Sequence, residues 1–206
     1  MVIAFLTGFF LGLSLIVAIG AQNSFVFRQG IIGPHVFYLA LFCALSDTLL
    51  IIFGVAGISF FLNNFVTQFS NWLFGFSALW LLGYGILRLK AAFKANIMLE
   101  IEASKSKGLL STISIAAILT FANPHVYLDT MILIGSVSQQ FNGEDKLAFT
   151  LGASIASFVF FFILAYGAKL LEPVMRRPSS WRVLDCLIAF IMFTIAFKLV
   201  SIGNWL

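Results

Sequence analysis

The sequence predicts an all-α integral membrane protein of six transmembrane helices, arranged as two inverted repeats of three. Three observations carry that prediction. Of the 206 residues, 61% are hydrophobic and only 10% charged, and the mean hydropathy is +1.06. So few polar side chains cannot cover a water-soluble domain, so the solvent must be a bilayer. Six stretches reach the roughly 20 apolar residues that a spanning helix needs, at about 2–27, 36–62, 66–88, 109–137, 147–171 and 183–203. Finally, the first stretch of each half is interrupted by small and amide residues, Gly20-Ala21-Gln22-Asn23 in one and Ala122-Asn123-Pro124-His125 in the other.

The first stretch carries a glycine stripe, Gly8, Gly12 and Gly20, before its interruption. Ala18-x-Gly20 looks like a leader-cleavage site, but no Lys or Arg precedes Arg28, so the positive segment of a leader is missing and retention is expected. The second stretch holds Asp47 on a seam of small residues, Ala40, Cys43, Ala44, Gly54 and Gly57, a surface suited to close helix contact. The third ends at Arg88 and Lys90, and a charged connection at about 91–108 follows.

The fourth stretch must kink or break at Pro124, which lacks an N–H and crowds the carbonyl four residues back. Backbone groups freed at membrane depth are tolerated only where protein or a wet cavity satisfies them. Gly20 and the amides of Gln22, Asn23 and Asn123 are the expected partners. Beyond the break, Ala122, His125 and Ser136 are expected to share an inward face with Asp129. The fifth stretch contains Ala153-Ser154-Ile155-Ala156-Ser157, an echo of Ala44-Leu45-Ser46-Asp47 in the second. Ser46, Ser154 and Ser157 are therefore supporting small polar candidates. The sixth stretch completes a single membrane domain, 1–206, with repeat one at about 1–90 and repeat two at about 109–206. Three spans per half place the two halves in opposite orientations, the layout of many secondary transporters.

The 12 Lys and Arg residues set the expected orientation. Connections 1–2, 3–4 and 5–6 hold Arg28, then Arg88, Lys90, Lys94, Lys105 and Lys107, then Lys169, Arg176, Arg177 and Arg182; the opposite side has Lys146 and the near-terminal Lys198. Those three connections are expected in the cytoplasm and both termini outside. The net charge of +4 and pI near 9.3 do not indicate nucleic acid, because the basic residues follow loops. Cys43 and Cys186 stand singly, form no C-x-x-C, and read as small buried hydrophobes.

Of the eight acids, six (Glu100, Glu102, Glu144, Asp145, Glu172 and Asp185) are expected in connections or at helix ends. Only Asp47 and Asp129 are expected to lie deep. A charge mid-membrane costs about 2.5–3.5 kcal/mol on insertion scales, so it persists mainly on a pathway or in a pair. Two such acids suggest a site for a cation. His125 and Asp129, at i and i+4, share a helix face, and with Asp47 they form a thin divalent-metal set. The only other histidine, His35, is in a loop. Orientation of Asp129, or help in moving a proton, is the expected role of His125. No metal or cofactor is expected. No Ser-His-Asp, H-E-x-x-H or phosphate-loop spacing appears, so an enzyme is not expected.

Gly20-Ala21-Gln22-Asn23-Ser24-Phe25-Val26 with Arg28-Gln29-Gly30, then Ala44-Leu45-Ser46-Asp47, then Asn123-Pro124-His125-Val126-Tyr127-Leu128-Asp129-Thr130, resembles the bacterial basic-amino-acid exporters of the lysine exporter (LysE) family. The last motif is similar to the family's arginine-exporter branch. The likeness runs nearly end to end. Ala21 departs from it, standing where the family usually has proline. The resemblance implies export of L-arginine, and of L-lysine, from the cytoplasm through a bacterial inner membrane. Neutral amino acids or a divalent metal remain alternative cargoes on the same scaffold, and structural Asp–His or Asp–Arg pairing remains an alternative role for the acids. Moving one positive charge out of a negative interior costs roughly 2.3 kcal/mol per 100 mV, so exchange with protons is the expected drive. A homodimer is compatible with the small-residue stripes.

Overall fold

The computed structural model describes residues 1–17, 20–93 and 108–202. Lys94, Lys105, Lys107, Glu100, Glu102 and the leader-like Ala18 lie outside them. The described residues form helices and no strands. We number these α1 (Val2–Ile16), α2 (Ala21–Ile32), α3 (Val36–Phe53), α4 (Ser59–Ala92) and α5 (Leu109–Phe121). There follow α6, in three continuous parts (Pro124–Val126, Tyr127–Leu133 and Ile134–Ser138), α7 (Gly143–Gly167) and α8 (Pro178–Ile202).

Three helical stretches are each long and apolar enough to cross a bilayer: Val36–Gly57, Gly143–Leu171 and Pro178–Ser201. The pair α1 and α2, bent by 81° at the Gly20 motif, makes a fourth if taken as one span. The break foreseen in the fourth stretch is present: α5 stops at Phe121, and α6 begins at Pro124 with Asn123 between helices. The middle of α6, which carries Asp129, is wound in wider i→i+5 turns. Such turns are frequent at functional sites, and nothing in the composition announced them.

Two boundaries differ from expectation. The second stretch ends near Gly57 rather than at 62, and α4 starts at Ser59 rather than 66. Gly57 has φ 101°, a left-handed conformation open to a residue without Cβ, and the chain turns there.

Close packing runs along α1 and α7. A Cβ at Gly8 would overlap the Phe149 carbonyl, one at Gly152 would overlap that of Phe5, and one at Gly12 would lie 3.2 Å from the Ala153 Cα. The glycine stripe of the first stretch is thus a packing seam at Gly8 and Gly12, whereas Gly20 meets nothing within 4 Å. The two helices are parallel, and the Met1 amino group pairs with Asp145 at their shared end. The main core joins Phe25 and Val26 with Leu39, Leu81, Phe161 and Met192. Large apolar side chains such as Phe10, Leu79, Leu110, Ile163 and Phe190 cover the outside, a surface matched to lipid.

At the opposite end, three helix ends are tied together. Arg28 Nη1 of α2 donates to both carboxylate oxygens of Asp185 on α8, at 2.9 and 3.1 Å, and Arg88 Nη1 of α4 lies 3.6 Å from the same group. Asp185 is only 1% exposed. Asp185 stands near a helix start, as expected, yet within the protein it is more buried than Asp47 or Asp129. Two cations from other helices compensate it, and no local pattern in the chain shows that.

Candidate functional site

A cavity of about 70 Å³ opens where the two helix breaks meet. Gly20, Ala21, Gln22 and Asn23 line it from the start of α2, Asp47 from α3, and Asn123, His125, Val126, Asp129 and Thr130 from the second break. Leu15, Ile16, Leu81 and Ile195 supply its apolar wall. Pairing requirements at the breaks explain the local geometry. α2 starts at Gly20, which has no side chain to cap it; instead the Asn23 amide reaches back to the Ile16 carbonyl, Nδ2 to O 2.6 Å, bridging the break. At the other break, the His125 backbone N–H donates to Asn123 Oδ1 at 3.2 Å, an Asn cap on the new helix. Thr130 Oγ1 donates to the Val126 carbonyl at 2.6 Å inside the wide turns.

The two acids differ. Asp129 is paired: its Oδ2 is 3.0 Å from His125 Nδ1, and its side chain is 23% exposed. Asp47 is 3% exposed, and its Oδ1 has no hydrogen-bond partner among the described residues. The amide Nε2 of Gln22, itself 6% exposed, likewise makes no close hydrogen bond among the described residues, although it faces the Asp47 carboxylate and interacts with it. Buried polar groups in native proteins are nearly always satisfied, and an acceptor and a donor without close partners beside a cavity leave room for a ligand's complementary groups.

The structure thus brings Gln22, Asn23, Asp47, Asn123, His125, Asp129 and Gly20 to one cavity. Ser46, Ser154 and Ser157 are buried but do not line it. The face expected around Asp129 is only partly inward: His125 lines the cavity, while Ala122 and Ser136 are exposed. The i→i+5 winding shifts the register beyond 127, so residues placed on one face by 3.6-residue periodicity separate. Val126 and Thr130 belong to the Asn123–Thr130 motif without an expected role of their own, and Leu15, Ile16, Leu81 and Ile195 are aliphatic residues that carry no signal in an apolar sequence. No group of three or more His, Cys, Asp or Glu side chains suited to a metal occurs among the described residues.

A cavity with two carboxylates and several amides in its wall, set at paired helix breaks inside a bundle whose exterior is apolar, fits a multi-pass membrane transport protein. Comparison with known proteins places it further: residues 13–203 match the LysE type translocator model, and the chain belongs to that family. It is 37% identical over 207 residues to proteins named arginine exporter protein ArgO from Salmonella enteritidis PT4 and Salmonella typhimurium LT2. In both comparisons the match covers 98% of this chain and 96% of the relative. No solved structure matches.

Proposed function

We propose that this chain exports L-arginine, and L-lysine less well, from the cytoplasm across a bacterial inner membrane in exchange for protons. The Asp47 carboxylate, buried with no cation against it among the described residues and with Oδ1 free of any close hydrogen bond, carries the reading, with the Gln22 amide beside it. An apolar cargo would leave the acid without a cation, whereas a cationic side chain satisfies it. A guanidinium suits a carboxylate best, because its planar fork donates two parallel hydrogen bonds. The start of α2, with the Gln22 amide, favours the amino acid's carboxylate through the positive end of the helix dipole. Asp129, held by His125, takes the α-amino group or a proton. The names of the relatives point to the same cargo.

A 70 Å³ cavity has room for about two waters, less than an amino acid, so loading requires the bundle to open. The architecture we propose for that motion is six spans in a single domain, two inverted repeats at about 1–90 and 109–206. The helix pairing supports it. Exchanging α1 and α2 with α5 and α6, α3 with α7, and α4 with α8 maps the main contacts onto themselves. The α4–α8 and α3–α7 pairs are their own images, α1 on α7 has its image in α5 on α3, and α2 on α7 has its image in α6 on α3. Connections 1–2, 3–4 and 5–6 face the cytoplasm, so the Arg28–Asp185–Arg88 cluster closes the inner side.

The test is efflux from sealed vesicles holding the purified protein and labelled arginine, lysine or leucine. Arginine should leave fastest and leucine should stay. Leucine efflux equal to that of arginine would reject a cationic cargo.

A further inference from the structure

We infer that the Arg28–Asp185–Arg88 cluster is a second guanidinium site, an entry cage for the arginine-like substrate that the chain's own Arg28 occupies in this conformation. The inference rests on the proposed export of a guanidinium amino acid and adds a place where that group first docks.

The cluster has the parts of an arginine receptor. Asp185 presents its carboxylate to Arg28, whose Nη1 is 2.9 and 3.1 Å from its two oxygens. The Arg28 guanidinium lies 4.9 Å from the Trp181 ring centre. Carboxylate and indole together are the usual means of recognising this planar cation. Both are held in advance. Asp185 and Trp181 are each 1% exposed, and Trp181 Nε1 donates to the Met175 carbonyl at 2.6 Å, which fixes the ring. Arg88, against Tyr84 at 5.3 Å, sits farther from the carboxylate at 3.6 Å.

The cage is placed to control entry. Its three helices also line the central cavity, through Gln22 of α2, Leu81 of α4 and Ile195 of α8. Arg28 is six residues beyond Gln22, about 9 Å along the helix. The clamp therefore lies roughly two turns from the cavity, toward the end assigned to the cytoplasm. A substrate guanidinium arriving from that side meets a carboxylate that already holds the same chemical group. Exchange of one guanidinium for another keeps Asp185 compensated throughout and frees α2 from α8. A neutral amino acid cannot make that exchange, because it would leave Asp185 with one cation fewer. The tethered arginine then acts as a built-in competitor and as a filter for cargo.

Chemical rescue tests this without transport. Arg28→Ala vacates the cage and leaves Asp185 and Trp181 in place. Methylguanidinium should raise the melting temperature of Arg28→Ala in detergent by about 5 °C. It should raise that of the wild type, whose cage is filled, by less than half as much, and it should leave Arg28→Ala/Asp185→Asn unmoved. If Arg28→Ala does not fold, Arg28→Lys serves: its ammonium cannot fork or stack, so methylguanidinium should stabilise it more than the wild type. Equal shifts in the wild type and the Arg28 variant, or a shift that survives Asp185→Asn, overturn the cage. Efflux by the wild type decides the export reading separately: arginine retained while rescue succeeds would sink export and leave the guanidinium site standing.

Discussion

Asp47→Asn separates a binding carboxylate from a structural one, because stability and transport should move differently. The substitution keeps the shape of the side chain and removes its charge. Asp47 has no ion-pair partner among the described residues, and its Oδ1 accepts no hydrogen bond, so little native interaction is lost. An unpaired charge at membrane depth is itself costly, so the folded protein should melt no lower, and by this argument somewhat higher. Transport should fall. One charge-assisted hydrogen bond to substrate is worth about 1.5–3 kcal/mol, a loss of about ten- to hundredfold in apparent affinity for arginine. The assay is labelled arginine efflux from vesicles, normalised to folded protein, beside a melting curve in detergent. Asp185→Asn is the counterpart. It strips the partner from two arginines, and breaking a buried pair typically costs 3–5 kcal/mol, so it should lower the melting temperature. Wild-type arginine efflux in Asp47→Asn, or a loss that tracks lost folded protein, would refute the reasoning.

Three further outcomes follow from the same structure. His125→Phe removes the group 3.0 Å from Asp129, and arginine efflux should fall severalfold with folded yield unchanged; parallel loss of both would make the pair structural. A proton gradient directed into the cell should speed arginine efflux in oriented vesicles, and indifference to it would remove proton exchange. Gly152→Ala, whose Cβ would overlap the Phe5 carbonyl, should destabilise by about 1–3 kcal/mol, while Gly83→Ala, with nothing within 4 Å, should gain about 0.5–1 kcal/mol, both read from melting curves.

Much of the site was legible because its causes are local. Pro124 cannot continue a helix, and Gly20 with neighbouring amides weakens one, so the breaks could be placed from single residues. Asp47 stood out because a carboxylate within an apolar run is expensive wherever the run folds. The wide turns at 127–133 were not legible, and they moved Ser136 off the face that ordinary helical periodicity assigned it. The serines at 46, 154 and 157 had the composition of a site but point elsewhere in the core.

Composition by itself determined that the solvent is lipid, that the chain is helical, and roughly where two helices are interrupted, since hydropathy and backbone restriction act within a few residues. Tertiary structure alone decided which acid is paired and which is free. Asp185, at the start of a helix, found Arg28 157 residues away, while Asp47 found no cation among the described residues. Electrostatic pairing depends on distance through space, and only packing of the helices brings those charges together or keeps them apart.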